Sequence, residues 1–207
     1  ELKAELNEIR QFKQFKTVEQ KAKQFQSKLS SLLFFDPACG SGNFLTETYI
    51  SIRRLENEAI KLYMGDAVAF DLGQDLVKVK LNQFYGIEIN DFAVSVAKTA
   101  LWIAENQMLE ETKDIVFANI DFLPLKSYTN IVEGNALEID WETVVPKDKL
   151  SYIIGNPPFL GYSMQSPKQK SDLLSVYVDE RGKPYKTAGK IDFVSAWFFK
   201  ASQLMKD

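Results

Sequence analysis

The sequence has 207 residues and combines 25 Lys and Arg with 28 Asp and Glu, one cysteine and no histidine. Without histidine the chain cannot form a Ser-His-Asp or Cys-His nucleophile, use an imidazole base or bind a metal through histidine. Because Cys39 is the single cysteine of the sequence, an internal disulfide and a thiolate zinc cluster are excluded. A single cysteine also fits a reducing compartment. The net charge of −3 gives no general argument for nucleic-acid binding.

The length predicts a single domain that is large enough to bury one substantial core. No run of about 18 apolar residues is present, and the polar start at Glu1 resembles neither a signal peptide nor a transit peptide. We therefore expect a soluble, cytoplasmic protein with no membrane partner. The missing initiator Met indicates a segment of a longer polypeptide, although processing would produce the same start.

Residues 2–30 contain no Pro or Gly, and their apolar residues follow a spacing of three and four positions. The residues of this stripe are Phe15, Val18, Ala22, Phe25 and Leu29. The pattern predicts one amphipathic helix within residues 1–31 that packs on the rest of the chain. A short coiled coil with a partner is the alternative interpretation.

Residues 32–207 alternate short apolar runs with helical patterns. The run at residues 32–35 ends in Asp36, which is typical of a strand buried on both faces of a parallel sheet. Further strands are predicted at residues 83–87, 130–133 and 150–154, and helices at residues 44–62 and around 93–108. This alternation predicts a doubly wound, mainly parallel α/β sheet. The polar turns after its strands should meet at the edge where such sheets bind ligands.

The segment Asp36-Pro-Ala-Cys-Gly-Ser-Gly-Asn-Phe-Leu45 places a carboxylate at a strand end and two glycines just before a helix. A zwitterionic amino-acid group suits this arrangement, because its ammonium can lie near Asp36 and its carboxylate near the amides of the turn. A pyrophosphate suits it less well. Leu45 stands where the dinucleotide fingerprint has a third glycine, and Glu88 comes 46 residues after Gly42 rather than about 20. A tight turn with no ligand is the alternative.

Two further polar residues follow predicted strands. Glu88 ends the second strand, where an acid can accept both hydroxyl protons of a ribose. Asn135 follows the third strand, and its amide could bond an adenine ring because it carries both donors and an acceptor. Each residue alone also fits an ordinary solvated strand end or turn.

The tetrapeptide Asn156-Pro-Pro-Phe159 follows the fourth predicted strand. Its prolines fix the backbone and donate no N–H, so the surrounding carbonyl groups stay free to accept hydrogen bonds. The amide oxygen of Asn156 and a proline carbonyl could together hold an exocyclic NH2 group, while Phe159 offers a flat face for a planar base. A rigid turn without a ligand is the alternative.

Taken together, these segments resemble the S-adenosylmethionine-dependent DNA adenine-N6 methyltransferases in which the cofactor motif precedes the catalytic motif. Residues 36–45 are similar to motif I, and their sequence is especially close to motif I of large type I and fused restriction-modification enzymes. Residues 156–159 are similar to motif IV. Residues 85–90, 133–137 and 192–199 are similar to motifs II, III and V. The match runs from residue 32 to about 204 in the family's order.

The resemblance implies a Rossmann-like class I methyltransferase fold that binds S-adenosylmethionine and double-stranded DNA and flips the target adenine out of the duplex. The implied cofactor-binding residues are Asp36, Pro37, Ala38, Gly40, Gly42, Asn43, Phe44, Leu45, Glu88, Ile89, Asn135 and Ala136. The implied catalytic residues are Asn156, Pro157, Pro158 and Phe159, and no metal is implied. Neutral acceptors would orient the amino group toward the sulfonium methyl and stabilise its growing charge, so no strong base is needed.

The sequence departs from the family at both ends. Motif X is not recognisable before Leu32, and the later strands and the target-recognition domain do not follow Asp207. The strand near residues 151–154 would then lie near an exposed apolar edge. We therefore expect a fragment, or a chain completed by specificity and nuclease domains or subunits of a parent protein.

Residues 160–190 form a predicted loop with six basic and three acidic side chains, a local charge of +3 (six minus three). The charged residues are Lys168, Lys170, Asp172, Asp179, Glu180, Arg181, Lys183, Lys186 and Lys190. We interpret the loop as a mobile segment that touches DNA phosphates. An ordinary solvated loop is the alternative.

The sequence thus predicts methyl transfer to adenine N6 in DNA, within a restriction-modification or phage-defence protein. Methyltransferases that act on glutamine of release factors or on guanine of ribosomal RNA share the Asn-Pro-Pro-aromatic turn, but the wording of motif I and Phe159 favour DNA adenine. A cofactor-binding or DNA-docking module without turnover is the alternative from another class.

Overall fold

The computed structural model describes residues 1–64, 76–116, 130–179, 181–185 and 188–205. Its centre is a parallel sheet of four strands in the order β3-β2-β1-β4. The strands are β1 (Leu33–Asp36), β2 (Phe84–Glu88), β3 (Ile131–Glu133) and β4 (Leu150–Ile153). The predicted parallel α/β sheet is confirmed. The chain runs outward from β1 to β3 and then returns to the opposite side of β1, so the strand order reverses between β1 and β4.

Helices lie on both faces of this sheet, as the doubly wound prediction requires. They are α1 (Leu2–Ile9), α2 (Phe15–Ser31), α3 (Asn43–Met64), α4 (Asp91–Val116), α5 (Pro167–Val176) and α6 (Ser195–Leu204). On one face Phe34 shares a buried core with residues of α1 to α4. On the other face Phe35 shares a core with Trp141 and residues of α5 and α6. Adjacent strand residues point to opposite faces, which explains why this strand is continuously apolar.

The N-terminal segment differs from the prediction of one helix, because two helices are present. The predicted stripe lies on α2, where Ala22, Phe25 and Leu29 are buried in the core. The separate helix α1 buries Leu6 and Ile9 in the same core. The stripe was visible only from Phe15 onward because the chain leaves the helical path at residues 10–14. The domain boundary after residue 31 stays a prediction.

A buried polar cluster joins α2, α3 and the segment before β2. Arg53 and Glu56 form a fully buried ion pair on α3. Glu56 also accepts hydrogen bonds from Nε2 of Gln26 at 2.7 Å and from the backbone N–H of Lys78 at 2.6 Å. Arg53 donates to Oγ1 of Thr112 on α4 at 2.8 Å. The cluster therefore links the three helices α2, α3 and α4.

Strand β4 ends the sheet within the described residues, where it pairs with β1 alone. Its Tyr152 is 40% exposed and stacks on Phe34 of the neighbouring strand. The expectation of a partly exposed apolar strand at this edge agrees with this arrangement. No helix in the described ranges is both long and apolar enough to cross a membrane.

Candidate active site

Asp36 is a completely buried carboxyl group at the end of β1. Its Oδ1 accepts a hydrogen bond from the N–H of Ala38 at 3.0 Å, whereas Oδ2 has no partner in the described part of the chain. Burial raises the pKa of Asp36 to about 7; the bond from Ala38 opposes this shift, and the negative charge of Glu88 adds to it. A buried acid with an unpartnered oxygen is suited to a cationic ligand group.

Gly155, which follows β4, lies directly against Asp36. Its φ is +142°, and a Cβ at this position would collide with Oδ1 and come within 2.9 Å of Cγ of Asp36. Only glycine fits this conformation and this space. The approach brings the start of the Asn-Pro-Pro-Phe turn next to the carboxyl group that ends β1.

The turn after β1 is tied to the end of β2. The N–H of Cys39 donates to the carbonyl of Ile87 at 3.0 Å, and the N–H of Gly40 donates to Oε2 of Glu88 at 2.9 Å. Gly42 has a φ of +82°, and a Cβ there would lie 2.9 Å from Cβ of Ala97 on α4. Helix α4 therefore packs closely against the turn at Gly42.

Glu88 holds two backbone turns rather than pointing freely into solvent. Its Oε2 binds Gly40, and its Oε1 accepts from the N–H of Asn90 at 3.0 Å. Each carboxylate oxygen keeps a further acceptor direction, so the predicted ribose contact stays chemically possible. The neighbouring Ile89 is 68% exposed and presents an apolar surface at the same edge.

Asn135 has an amide that is bound on both sides by the protein. Its Oδ1 accepts from the N–H of Leu137 at 3.0 Å, and its Nδ2 donates to Oδ2 of Asp172 at 2.9 Å. The carbonyl of the following Ala136 accepts from Nζ of Lys200 at 2.8 Å. Burial lowers the pKa of Lys200 to about 8, while Asp140 acts in the opposite direction.

Sequence reasoning did not find Asp172 or Lys200 as part of this site. Both lie on helices that come after the Asn-Pro-Pro-Phe turn, 37 and 64 residues from their partners in the β3 turn. Asp172 appears in the sequence only as a charge in a basic segment. No local spacing could have connected it with Asn135.

The Asn-Pro-Pro-Phe turn projects from the end of β4. Asn156 and Pro158 are exposed, Pro157 is half-buried and Phe159 is 70% exposed. Across the described ranges, the side chains of Asn156 and Phe159 make no hydrogen bond or ring contact within the protein. The turn is anchored behind them, since the N–H of Leu160 donates to Oδ1 of Asp192 at 3.0 Å. The amide of Asn156 and the ring of Phe159 are therefore exposed on a turn whose backbone is anchored at Leu160.

The predicted site residues gather at the carboxyl ends of the four strands, although their surroundings differ. Leu45 is fully buried in the core, and Pro37 is buried with its carbonyl bound to Nε1 of Trp197 at 3.1 Å. Asn43 and Phe44 at the start of α3 are exposed. The side chain of Leu45 therefore shapes the core behind the turn.

This arrangement can be compared with known proteins. The sequence matches the MmeI DNA-methyltransferase domain family over residues 12–207. The chain belongs to this family. It is 43% identical over 184 residues to DNA methyltransferase A of Bacillus subtilis (strain 168), a match that covers 86% of this chain and 20% of that protein.

The MmeI family assignment also agrees with a solved structure. The chain is similar to the type IIL restriction-modification enzyme MmeI in complex with DNA, with a TM-score of 0.87 and 38% identity. The match covers 99% of this chain and 26% of that one. The predicted methyltransferase resemblance is confirmed, and the chain spans about a fifth to a quarter of the length of these two proteins.

Two described cavities lie away from the motif residues that this MmeI-family chain exposes. One of about 720 Å³ lies between α1 and α2 and includes Phe12 and Phe25. The other, of about 270 Å³, lies behind the β3 turn between Trp141 and Phe199. The exposed residues Ile89, Asn156 and Phe159 of the candidate site line neither of these two cavities.

The basic segment at residues 160–190 differs from the predicted loop, because helix α5 occupies residues 167–176. Ser166 caps this helix by accepting from the N–H of Gln169 at 3.3 Å, a helix start that was not among the predictions. Lys168 is paired with Asp172 and Glu138 rather than free. Glu180 and Lys186 lie outside the described residues.

Proposed function

We propose that this chain transfers a methyl group from S-adenosylmethionine to the exocyclic N6 of adenine in DNA, as part of a restriction-modification or phage-defence enzyme. The observation that carries the proposal is the contact between Asp36 and Gly155. This contact joins a buried acid suited to an ammonium group with a turn suited to an amino group.

The residues around Asp36 fit this cofactor. The unpartnered Oδ2 of Asp36 would accept from the ammonium of the methionine part, and Glu88 would accept from the ribose hydroxyls. Ile89 supplies exposed apolar surface for the base. The turn that contains Asn135 and Ala136 is linked to the end of β2, because the N–H of Gly134 donates to the carbonyl of Glu88 at 2.8 Å. When bound, S-adenosylmethionine supplies an electrophilic methyl group on a positively charged sulfur.

Asn156 and Phe159 fit the target base. The amide oxygen of Asn156 and a carbonyl of the following prolines would accept both hydrogens of the amino group, and Phe159 would stack on the ring. An adenine in a duplex cannot reach these residues unless it is flipped out of the stack. Their exposure leaves room for such a base.

The acceptors at this turn would provide catalysis without a strong base. Two acceptors that hold the amino hydrogens would direct the nitrogen lone pair away from the turn. They would also stabilise the positive charge that grows on nitrogen as the methyl group moves to it and the bond from that methyl to sulfur breaks, its electrons remaining on sulfur. After the transfer the amino nitrogen is cationic and carries one extra proton. This cation is acidic enough to lose the proton to water. The absence of histidine from the sequence is compatible with this mechanism.

The proposed DNA partner would meet the remaining basic residues after the turn. Lys170, Arg181, Lys183 and Lys190 are the candidates for phosphate contacts, whereas Lys168 is engaged within the protein. Because the chain matches only part of its relatives, specificity and nuclease domains or subunits of the parent protein would complete the enzyme.

Labelled methyl transfer by the full-length protein tests this proposal. Duplex DNA, ribosomal RNA and release factor are each offered with labelled S-adenosylmethionine. We expect label in DNA, its loss in Asn156→Ala, and its retention in Asn7→Ala, a surface control on α1. Label in protein or RNA alone would contradict the proposal, and so would full DNA labelling by Asn156→Ala. Failure to bind the cofactor at all would indicate a module without turnover.

A further inference from the structure

The carboxylate of Asp172 is buried next to Asn135, a residue of the proposed cofactor site. It lies on α5, is only 6% exposed, and accepts from Nδ2 of Asn135 at 2.9 Å. Lys168, four residues earlier, provides its positive partner at 2.8 Å. Burying a carboxylate is costly unless it is paired and hydrogen-bonded, and both conditions hold here.

Asn135 holds the turn after β3 through hydrogen bonds of both its side chain and its backbone. Its Oδ1 accepts from the N–H of Leu137 at 3.0 Å, and its backbone carbonyl accepts from the N–H groups of Glu138 and Ile139, each at 2.9 Å. Ala136 lies between Asn135 and Leu137 in the chain, and its own N–H has no hydrogen-bond partner within the described ranges. An N–H without a partner therefore lies next to the side-chain amide of Asn135, and the orientation of that amide decides whether an oxygen or an NH2 group lies beside it.

Asp172 and Leu137 together allow only one orientation of that amide. A carboxylate can only accept, so it selects the NH2 side of Asn135, and the N–H of Leu137 selects the oxygen side. The oxygen keeps one lone pair beyond its bond to Leu137. Loss of Asp172 would leave the NH2 group without its fixed partner and would permit the amide to rotate.

We propose that Asp172 is a positioning residue that fixes the Asn135 amide, so that this turn favours a purine with a 6-amino group over one with a 6-oxo group. The inference rests on the proposed function, since it takes the adenine of S-adenosylmethionine as the ligand of the turn. A 6-amino group donates and ring N1 accepts, which complements the oxygen of Asn135 and the N–H of Ala136. A 6-oxo purine reverses both requirements.

The experiment measures binding of two cofactor analogues to the full-length protein by calorimetry. S-adenosylhomocysteine and S-inosylhomocysteine differ only at position 6 of the purine. We expect the wild type to prefer the adenosyl compound. In Asp172→Leu the affinity for that compound should fall about tenfold while the inosyl compound changes less than about twofold. Asp172→Asn should restore the preference, because its amide oxygen can accept from Asn135.

Two further variants keep the test decisive. Asp172→Ala replaces Asp172→Leu if the larger apolar side chain prevents folding, as judged by thermal unfolding. Ser175→Ala removes a 2.7 Å bond to the carbonyl of Asp172 on the same helix without touching the turn, and it should leave the preference unchanged. Equal weakening of both analogues in the folded variants, or no weakening, would overturn the role of Asp172. A wild type that binds neither analogue would instead contradict the proposed function.

Discussion

Gly155 lies so close to Asp36 that a Cβ on the glycine would come within 2.9 Å of Cγ of the carboxyl group. Asp36 ends β1 and Gly155 follows the neighbouring parallel strand β4, and the strand order reverses between these two strands. Their contact places the proposed methyl-donor and methyl-acceptor subsites on adjacent strands, where open α/β sheets bind their ligands.

Substitution of this glycine should be costly. Gly155→Ala introduces a collision with Asp36 and requires a φ of +142°, so we expect a loss of about 2–3 kcal/mol in the free energy of unfolding. Chemical denaturation measures this loss. Gly161→Ala is the matched control, because a Cβ there meets nothing within 4 Å. Equal stability of the two variants would contradict the described contact.

The carboxyl group of Asp36 should lower the stability of the protein without cofactor at neutral pH. Because its folded pKa is raised from 3.8 to about 7, its favourable contribution is complete below about pH 4 and is lost as the pH rises through about 7. Asp36→Asn should therefore increase the free energy of unfolding at pH 8 by about 1–3 kcal/mol. Denaturation of both proteins across pH 4–8 should show the difference growing with pH.

Cofactor binding should show the opposite dependence on Asp36. The ionised carboxylate is the form that attracts an ammonium group, so affinity should rise as the pH increases through about 7. Asp36→Asn should reduce affinity more than tenfold and remove this dependence. Calorimetry at several pH values, with the exposed Asp148→Asn as control, measures both effects. A pH-independent affinity in the wild type would contradict this role.

Lys200 should stabilise the turn after β3 through hydrogen bonds to its backbone carbonyls. Its Nζ donates to the carbonyls of Ala136 at 2.8 Å and Ile139 at 2.6 Å. Lys200→Met keeps most of the side-chain volume and removes these bonds together with a longer one to the carbonyl of Leu137 at 3.4 Å, so we expect about fivefold weaker cofactor binding. The control is Lys147→Met, a lysine exposed on the surface. Unchanged affinity in Lys200→Met would show that the turn does not need this support.

The buried pair of Arg53 and Glu56 should matter for stability rather than for binding. Glu56→Gln leaves the guanidinium of Arg53 without its charged partner, and we expect a loss of about 3 kcal/mol in the free energy of unfolding. Glu58→Gln on the same helix breaks only partly exposed pairs with Arg10 and Lys61 and should cost less than about 0.5 kcal/mol. Similar losses in both variants would contradict this assignment.

The sequence predicted the sheet well because each strand carries its own local signal. The apolar residues before Asp36 mark a strand that is buried between helices, and those before Gly155 mark the partly exposed edge strand β4. The polar turns follow these strands directly. The break between α1 and α2 contains no Pro or Gly, and the sequence marked it only by the start of the apolar stripe at Phe15.

The polar partners inside the site were much harder to predict. The contacts of Asn135 with Asp172 and of Ala136 with Lys200 join residues that are far apart in sequence, and their geometry depends on how α5 and α6 pack. Motif spacing could identify Asn135 and Glu88, but it could not show that both side chains also bind the protein's own backbone.

Nucleoside analysis of DNA methylated by the full-length protein tests the central claim most directly. DNA incubated with the enzyme and S-adenosylmethionine is digested to nucleosides and examined by mass spectrometry. We predict N6-methyladenine with the wild type and none with Asn156→Ala. Methylation of cytosine, or the same yield of N6-methyladenine from Asn156→Ala, would contradict the assignment of this turn to an adenine amino group.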